Sequence, residues 1–148
     1  MSRSDERELP LRIVVLRPPP GVTFAVQRGR SGLLAPTDAS AEALAFDLTV
    51  RVAPRGDGTV NVLGEFAQGP PADRFVYLNV GTSAGQAGSC WTRRAKVKTA
   101  GITPALVAET LATPGAVLEA RIAGTGRDGT PCCATIPLLD GGWRVVAG

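Results

Sequence analysis

The chain has 148 residues, which is near the commonest size for one domain and long enough to bury a core. Hydrophobic residues make up 44% and charged residues 20%, values that exclude wholesale disorder. The net charge of +3 does not by itself indicate nucleic acid binding, and the absence of histidine excludes histidine metal sites and the usual Ser-His-Asp and Cys-His catalysis.

The first ten residues are rich in charged side chains, and the apolar segment of a secretory signal does not follow them. No apolar run approaches the ~20 residues that a membrane-spanning helix needs. We therefore expect a cytoplasmic protein that does not engage a membrane. In that compartment Cys90, Cys132 and Cys133 are expected to be reduced thiols.

Residues 1–8 are polar and are expected to be disordered, whereas residues 9–148 are expected to form a single β-rich domain. Residues 9–16 form a short apolar run typical of a buried strand, and residues 22–27 alternate as a second, half-buried strand does. Residues 28–43 predict a long polar loop that either contains a short turn of helix or is mobile.

The clearest strand covers residues 44–52. Alternation places five apolar side chains on one of its faces: Leu44, Phe46, Leu48, Val50 and Val52. A turn at 54–58 leads to a short strand at 60–66. Residues 74–80 are apolar on both faces, which is typical of a central strand.

A glycine-rich loop at 81–89 precedes another alternating segment at 91–98. One face of this segment has Trp91, Arg93, Ala95 and Val97, and the other has Thr92, Arg94, Lys96 and Lys98. The second set predicts an exposed basic stripe.

A helix is predicted after Thr103, a good N-cap, with Pro104 at its first position and a stripe of Leu106, Val107 and Leu111. Further strands are predicted at 116–123, 132–138 and 143–146. About nine short strands with one helix near 103–112 indicate a mainly β fold. We expect an antiparallel β-sandwich or partly open barrel, with the helix at one end or on one face.

The sequence predicts no metal and no cofactor. Residues 124–129 match the G-x-G-x-x-G pattern, but a strand and not a helix follows them, so they predict a hairpin loop. Three cysteines cannot complete a four-thiolate zinc site.

Arg93 shares the apolar side of its strand with Trp91 and Val97, so it is expected to be buried. A buried guanidinium needs a carboxylate or an anionic ligand. A structural ion pair would use Glu65, Asp47 or Glu119.

The functional alternative is an anion clamp. In this hypothesis Arg93 and Arg74 bind the anion beneath Trp91 and Tyr77. The neighbouring amides Gln68 and Gln86 complete the candidate site.

The leading functional hypothesis is a non-enzymatic binding domain for a small anionic ligand or a protein partner. One alternative is a histidine-free enzyme that uses Glu65, Asp47 and Arg93. A weaker alternative is nucleic acid binding through the basic stripe, which is disfavoured because the chain lacks the closely spaced aromatic residues of a stacking platform. The sequence does not indicate an oligomeric state.

The block QGPPADRFVYLNVGTSAGQ, followed by SCWTRRAKV and GTGRDGTPCCATIPL, resembles a family of small bacterial proteins of unknown function over residues 11–146. The positions that match are Gln68, Gly69, Pro70, Pro71, Arg74, Phe75, Tyr77, Gly85, Gln86, Cys90, Trp91 and Arg94. The resemblance implies a bacterial, single-domain protein and implies no activity.

Overall fold

The computed structural model describes residues 6–82, 90–124 and 134–148, without the side chains of residues 82, 90–93 and 134. These residues contain eleven strands, one α-helix and one 3-10 turn at Pro71–Asp73. The elements are β1 (Arg7–Leu16), β2 (Val22–Arg28), β3 (Gly32–Leu34), β4 (Asp38–Ala39), β5 (Ala43–Pro54), β6 (Val60–Leu63), β7 (Phe75–Thr82), β8 (Cys90–Lys98), α1 (Pro104–Ala112), β9 (Ala116–Ala123), β10 (Ala134–Thr135) and β11 (Arg144–Ala147). The predicted mainly β fold with one helix near 103–112 is confirmed.

The strands form two sheets. The first has the order β11-β9-β1-β5-β4, with β6 also paired to β5, and the second has the order β10-β8-β7-β2-β3. Most neighbours are antiparallel, as expected, but β9 is parallel to β1 and β10 is parallel to β8. Parallel neighbours need a long crossover connection, and the chain segment that contains α1 precedes β9.

The core lies between the two sheets, and β1 contributes four fully buried side chains to it. Leu9, Leu11, Ile13 and Val15 are each 0% exposed, because β1 is paired with β5 along one edge and with β9 along the other. The strand begins at Arg7, so residues 7 and 8, which the sequence predicts to be disordered, pair with Val52 and Arg51.

The predicted register of β5 is confirmed. Phe46, Leu48, Val50 and Val52 are buried on one face, and Leu44 is half-buried against the same core. The opposite face has the exposed side chains of Thr49 and Arg51. A shift by one residue would reverse both sets, so the hydrophobic pattern fixes this register.

The predicted central strand at 74–80 is also confirmed, because β7 lies between β8 and β2. Its inner face has Val76 and Leu78, which are both fully buried and lie opposite Val97 and Ala95 of β8. Phe75, Tyr77 and Asn79 therefore belong to the outer face of the second sheet.

Helix α1 begins where it was predicted to begin, but a different set of its side chains faces the core. Thr103 Oγ1 accepts a hydrogen bond from Leu106 N at 3.2 Å, and Pro104 follows it at the first helical position. The buried residues are Val107 and Thr110, whereas Leu111 is 36% exposed and so does not belong to the predicted core stripe. Thr110 can face the core because its hydroxyl donates to Leu106 O at 2.7 Å.

The polar segment at 28–43 contains two short strands, β3 and β4, in place of the expected turn of helix or mobile loop. They pair with β2 and β5. Strands of two or three residues are too short to show a periodicity in the sequence. Residues 136–138, predicted as part of a strand, lie outside β10.

Candidate functional site

Arg74 and Gln68, two of the predicted site residues, meet in the turn before β7. Arg74 Nε donates to Val62 O at 3.0 Å and its Nη1 donates to Gly69 O, so this guanidinium ties the turn to β6. Gln68 forms a backbone bridge with Phe75, and its side-chain nitrogen donates to Gly29 O at 3.2 Å. Both side chains thus bind backbone carbonyls of neighbouring segments.

Position 69 of this turn requires a glycine, both for its backbone conformation and for its contact with Phe75. Its φ of +83° is a left-handed conformation that side chains rarely adopt, and a Cβ at this position would lie 2.4 Å from Phe75 Cε2. The turn therefore packs directly on the Phe75 ring, and any side chain at position 69 would push it away.

Tyr77, a third predicted site residue, lies two positions further along the outer face of β7. Its ring meets the ring of Phe75 edge to face, with 4.7 Å between the centroids. The register places Lys98, Lys96 and Arg94 of β8 opposite Phe75, Tyr77 and Asn79. We call the surface formed by Phe75, Tyr77, Arg94, Lys96 and Lys98 the basic face.

The three cations of the basic face lie over the two rings. Arg94 Cζ is 5.1 Å from the Tyr77 centroid, and Lys96 Nζ and Lys98 Nζ are 4.6 and 5.7 Å from the Phe75 centroid. The side chains of Arg94 and Lys96 therefore do not lie over the residues directly opposite them. Each reaches the next residue on the same face of β7, in the direction of Phe75. Long side chains reach such diagonal neighbours, so the rings fix the direction in which both cations point.

The three cations differ in their pairing. Lys98 Nζ lies 2.6 Å from Asp73 Oδ1. No carboxylate in the described part of the chain lies within 4.0 Å of Arg94 or Lys96. Arg94 is exposed and Lys96 is half-buried, so an anion from solvent can reach the Arg94 guanidinium and the Lys96 ammonium group.

Sequence reasoning missed a buried amide pair beside the basic face. Asn79 Nδ2 donates to Gln27 Oε1 at 2.9 Å, and the two residues are only 3% and 6% exposed. Gln27 Nε2 in turn donates to the carbonyls of Gly29 and Arg30 at 3.1 and 2.8 Å. The signal was present, because Asn79 is the one amide within the apolar segment of β7.

Gln86 and the side chains of Trp91 and Arg93 lie outside the described residues, so their predicted roles remain predictions. The backbone register does bear on them: Arg93 is opposite Val80 and Trp91 is opposite Gly81, with an irregularity between these two pairs. The regular alternation from which the sequence placed both residues on one face is therefore interrupted between them.

The three carboxylates proposed as partners of Arg93 each face another arginine. Glu65 Oε2 lies 3.0 Å from Arg28 Nε. Asp47 Oδ1 lies 2.7 Å from Arg12 Nε, on the outer face of the first sheet. Glu119 Oε1 lies 2.9 Å from Arg121 Nε, and its Oε2 lies 3.8 Å from Arg12 Nη1.

A charged groove lies beside β5, between the edges of the two sheets. Its volume is about 690 Å³, and the residues that line it are Glu8, Arg28, Leu34, Asp47, Leu48, Thr49, Val50, Arg51, Gly64, Glu65 and Phe66. The lining includes charges of both signs and four apolar residues: Leu34, Leu48, Val50 and Phe66. Asp47 and Glu65, predicted for an enzyme, thus line the same groove.

Within the described ranges, no three cysteine or acidic side chains are grouped closely enough to hold a metal ion. In the same ranges, no helix has the length and apolar character that crossing a membrane requires.

Comparisons with known proteins give one match. No curated protein and no solved structure matches the chain. A family model, described as a family of unknown function (DUF5990), matches residues 9–146 and so covers nearly the whole chain. The chain therefore belongs to the DUF5990 family of unknown function.

Proposed function

We propose that this protein is a non-enzymatic binding domain, and that Arg94 and Lys96 of the basic face bind a small anionic ligand. The observation that supports this most is that both cations lie over aromatic rings with no described carboxylate within 4.0 Å. Lys98, in contrast, is already paired with Asp73.

The aromatic rings make these cations suitable for binding. A cation–π contact at an exposed site contributes about 0.5–1 kcal/mol, which orients a side chain without neutralising its charge. An anion that reaches Arg94 and Lys96 meets groups whose rotamer freedom is already reduced. The entropy cost of ordering them on binding is correspondingly smaller.

The spacing of the two cations defines the ligand. Residues 94 and 96 are two positions apart on one strand, which separates their Cα atoms by about 6.8 Å. The two cations lie over neighbouring rings whose centroids are 4.7 Å apart, so one ligand can reach both charged ends. A ligand with two anionic groups, such as a diphosphate or a short dicarboxylate, fits this spacing better than a single carboxylate does.

The experiment is a calorimetric titration of the folded chain with inorganic pyrophosphate and with succinate. We expect saturable binding that weakens at least several-fold in Arg94→Gln and in Lys96→Gln, and that is lost in the double variant. Arg30→Gln is the matched control, because it removes one positive charge from an exposed position away from this strand. Equal weakening in Arg30→Gln and Arg94→Gln, or no saturable binding by wild type, would contradict the proposal.

The nucleic acid alternative has less support. Phe75 is only 5% exposed and lies beneath two lysines, so it offers no flat surface to a base. Binding to single-stranded oligonucleotides with a steep dependence on salt would favour this alternative.

The enzyme alternative also has less support. It requires Asp47 and Glu65 as free carboxylates, and each is within 3.0 Å of an arginine nitrogen.

A further inference from the structure

Two lysines of the basic face are drawn to one aromatic ring. Lys96 Nζ lies 4.6 Å from the centroid of Phe75, and Lys98 Nζ lies 5.7 Å from the same centroid. Phe75 is 5% exposed, so packing holds its ring in place. Like charges that are brought to one point repel each other, and the basic face therefore gains from an anion that lies beside them.

Asp73 supplies one such anion from within the protein. Its Oδ1 lies 2.6 Å from Lys98 Nζ. In the described part of the chain, it is the only carboxylate within 4.0 Å of Arg94, Lys96 or Lys98. Three cations and one carboxylate leave a charge of +2, so this carboxylate decides how many cations are available to a ligand.

The backbone around Asp73 is held in place. Asp73 is the last residue of the 3-10 turn Pro71–Asp73, and its N donates to Pro70 O at 2.9 Å. The next residue, Arg74, ties the turn to β6 through its guanidinium. The carboxylate therefore approaches the basic face from a fixed position.

The Lys98 ammonium, in contrast, can turn away from this carboxylate. The backbone of Lys98 is held, because its carbonyl accepts a hydrogen bond from Trp143 Nε1 at 3.0 Å. Its ammonium group is on a flexible four-carbon stem. The side chains of Lys98 and Asp73 are 29% and 57% exposed, and an ion pair of such exposure is weak. An anion can thus replace Asp73 through a rotation of the lysine side chain alone.

From this arrangement we propose that Asp73 is a built-in competitor of the anionic ligand. In the free protein it holds the Lys98 ammonium. A ligand that has bound Arg94 and Lys96 takes Lys98 from it with a third anionic group. This inference rests on the anion site proposed above, and it adds that Asp73 sets the number of anionic groups the ligand needs.

The placement of the three cations indicates the shape of such a ligand. Residues 94, 96 and 98 follow one another on one face of β8, and the outer two Cα atoms are about 13.6 Å apart in an extended strand. A linear chain of three anionic groups, such as tripolyphosphate, follows this row. A compact anion with a single centre does not.

The competition has a consequence for affinity. While Asp73 holds Lys98, only a fraction of the molecules has all three cations available, and the apparent affinity for a three-group ligand is reduced by that fraction. A two-group ligand needs only Arg94 and Lys96, so it is affected less. Asp73 therefore reduces the advantage that a third anionic group gives.

The test is a calorimetric titration of the full-length chain with pyrophosphate and with tripolyphosphate, in buffer without divalent cations. We expect Lys98→Gln to weaken tripolyphosphate binding more than pyrophosphate binding. Asp73→Asn should tighten tripolyphosphate binding by about three- to fivefold, as expected for loss of an exposed ion pair that competes with the ligand. Asp38→Asn is the matched control, because it removes a negative charge from an exposed position in the first sheet. At an ionic strength of about 0.15 M, which screens distant charges, its effect should be less than about twofold.

The double variant Asp73→Asn, Lys98→Gln makes the test specific. Asp73 acts through Lys98, so the effect of Asp73→Asn should disappear when Lys98 is replaced. The same tightening with and without Lys98, or no more tightening than in Asp38→Asn, would overturn this inference. If pyrophosphate still bound through Arg94 and Lys96, the proposed anion site would stand. Failure of the wild-type chain to bind either phosphate would overturn both.

Discussion

At the scale of single residues, Asp57 has the clearest titration. Thr59 donates to Asp57 Oδ1 from its hydroxyl at 2.5 Å and from its backbone nitrogen at 3.0 Å. These bonds, the hydroxyl first, hold the pKa of Asp57 below its ordinary value of 3.8, with a smaller contribution from Arg55. The turn between β5 and β6 is therefore closed by an ionised carboxylate.

The consequence for stability has a definite sign. A carboxyl whose pKa is lowered by folding stabilises the fold fully above pH 3.8, and this contribution is lost as the pH falls through the lower folded-state value. We predict an NMR midpoint for Asp57 below 3.8 in wild type and a higher midpoint in Thr59→Val. The same midpoint in both proteins would show that the Thr59 hydroxyl does not contribute.

The buried amide pair gives a second prediction at this scale. Asn79→Ala leaves Gln27 Oε1 buried without its donor, which should lower the free energy of unfolding by about 1–3 kcal/mol. The double variant Gln27→Leu, Asn79→Leu also removes the donor to the carbonyls of Gly29 and Arg30, so it should be less stable than Asn79→Ala. Urea denaturation measures both, and a double variant more stable than the single one would show that these carbonyls do not need the Gln27 amide.

At the scale of elements, β5 is the strand that the sequence defines best. Phe46 is 0% exposed within the core, so Phe46→Ala should lower the free energy of unfolding by about 3–5 kcal/mol. Thr49→Val, on the exposed face of the same strand, should change it by less than about 1 kcal/mol. Comparable losses in the two variants would contradict the assigned faces of β5.

The elements also explain how much of the structure the sequence could predict. Strands β5 and β9 were predictable because inward apolar residues recur at every second position, over residues 44–52 in β5 and over residues 118–122 in β9. The parallel pairing of β1 with β9 was not, because it joins residues 11–16 to residues 118–123 and no local pattern records such a pairing. In α1, Thr110 and not Leu111 is buried, because a hydroxyl bonded to the preceding turn can occupy an apolar site.

The candidate site was predictable only in part, for a similar reason. Alternation identified Arg94, Lys96 and Lys98 as a stripe on one face of β8, which the register confirms. Their placement over Phe75 and Tyr77 depends on the pairing of two strands. The backbone carbonyls that Arg74 binds come from two other segments, which the sequence around Arg74 could not indicate.

At the scale of the whole molecule, the first sheet joins both ends of the described chain. Strand β1 is central, and its neighbour β9 is contributed by residues more than a hundred positions later. Contacts so distant in sequence must wait for a costly loop closure, so such folds are expected to form in milliseconds to seconds. Because of these distant contacts, the fold also depends on β9 and β11, near the end of the described chain.

We therefore predict that a chain of residues 1–113, which lacks β9, β10 and β11, does not fold. It loses Leu118 and Ile122, each worth about 1.5–3 kcal/mol of burial. It also loses Ala120 and Trp143 from the core, and one edge of β1 is left without its partner. These losses together approach the total stability of a domain, about 5–15 kcal/mol.

A matched control separates loss of the late strands from general sensitivity to change. Three residues inserted after the exposed Ala35, in the loop between β3 and β4, should cost less than about 1 kcal/mol, because loop closure depends weakly on length. Circular dichroism during urea denaturation should show a cooperative transition for this variant and none for residues 1–113. A cooperative transition in the shortened chain would mean that β1 and β5 pack stably against the second sheet without β9. That result would contradict the prediction.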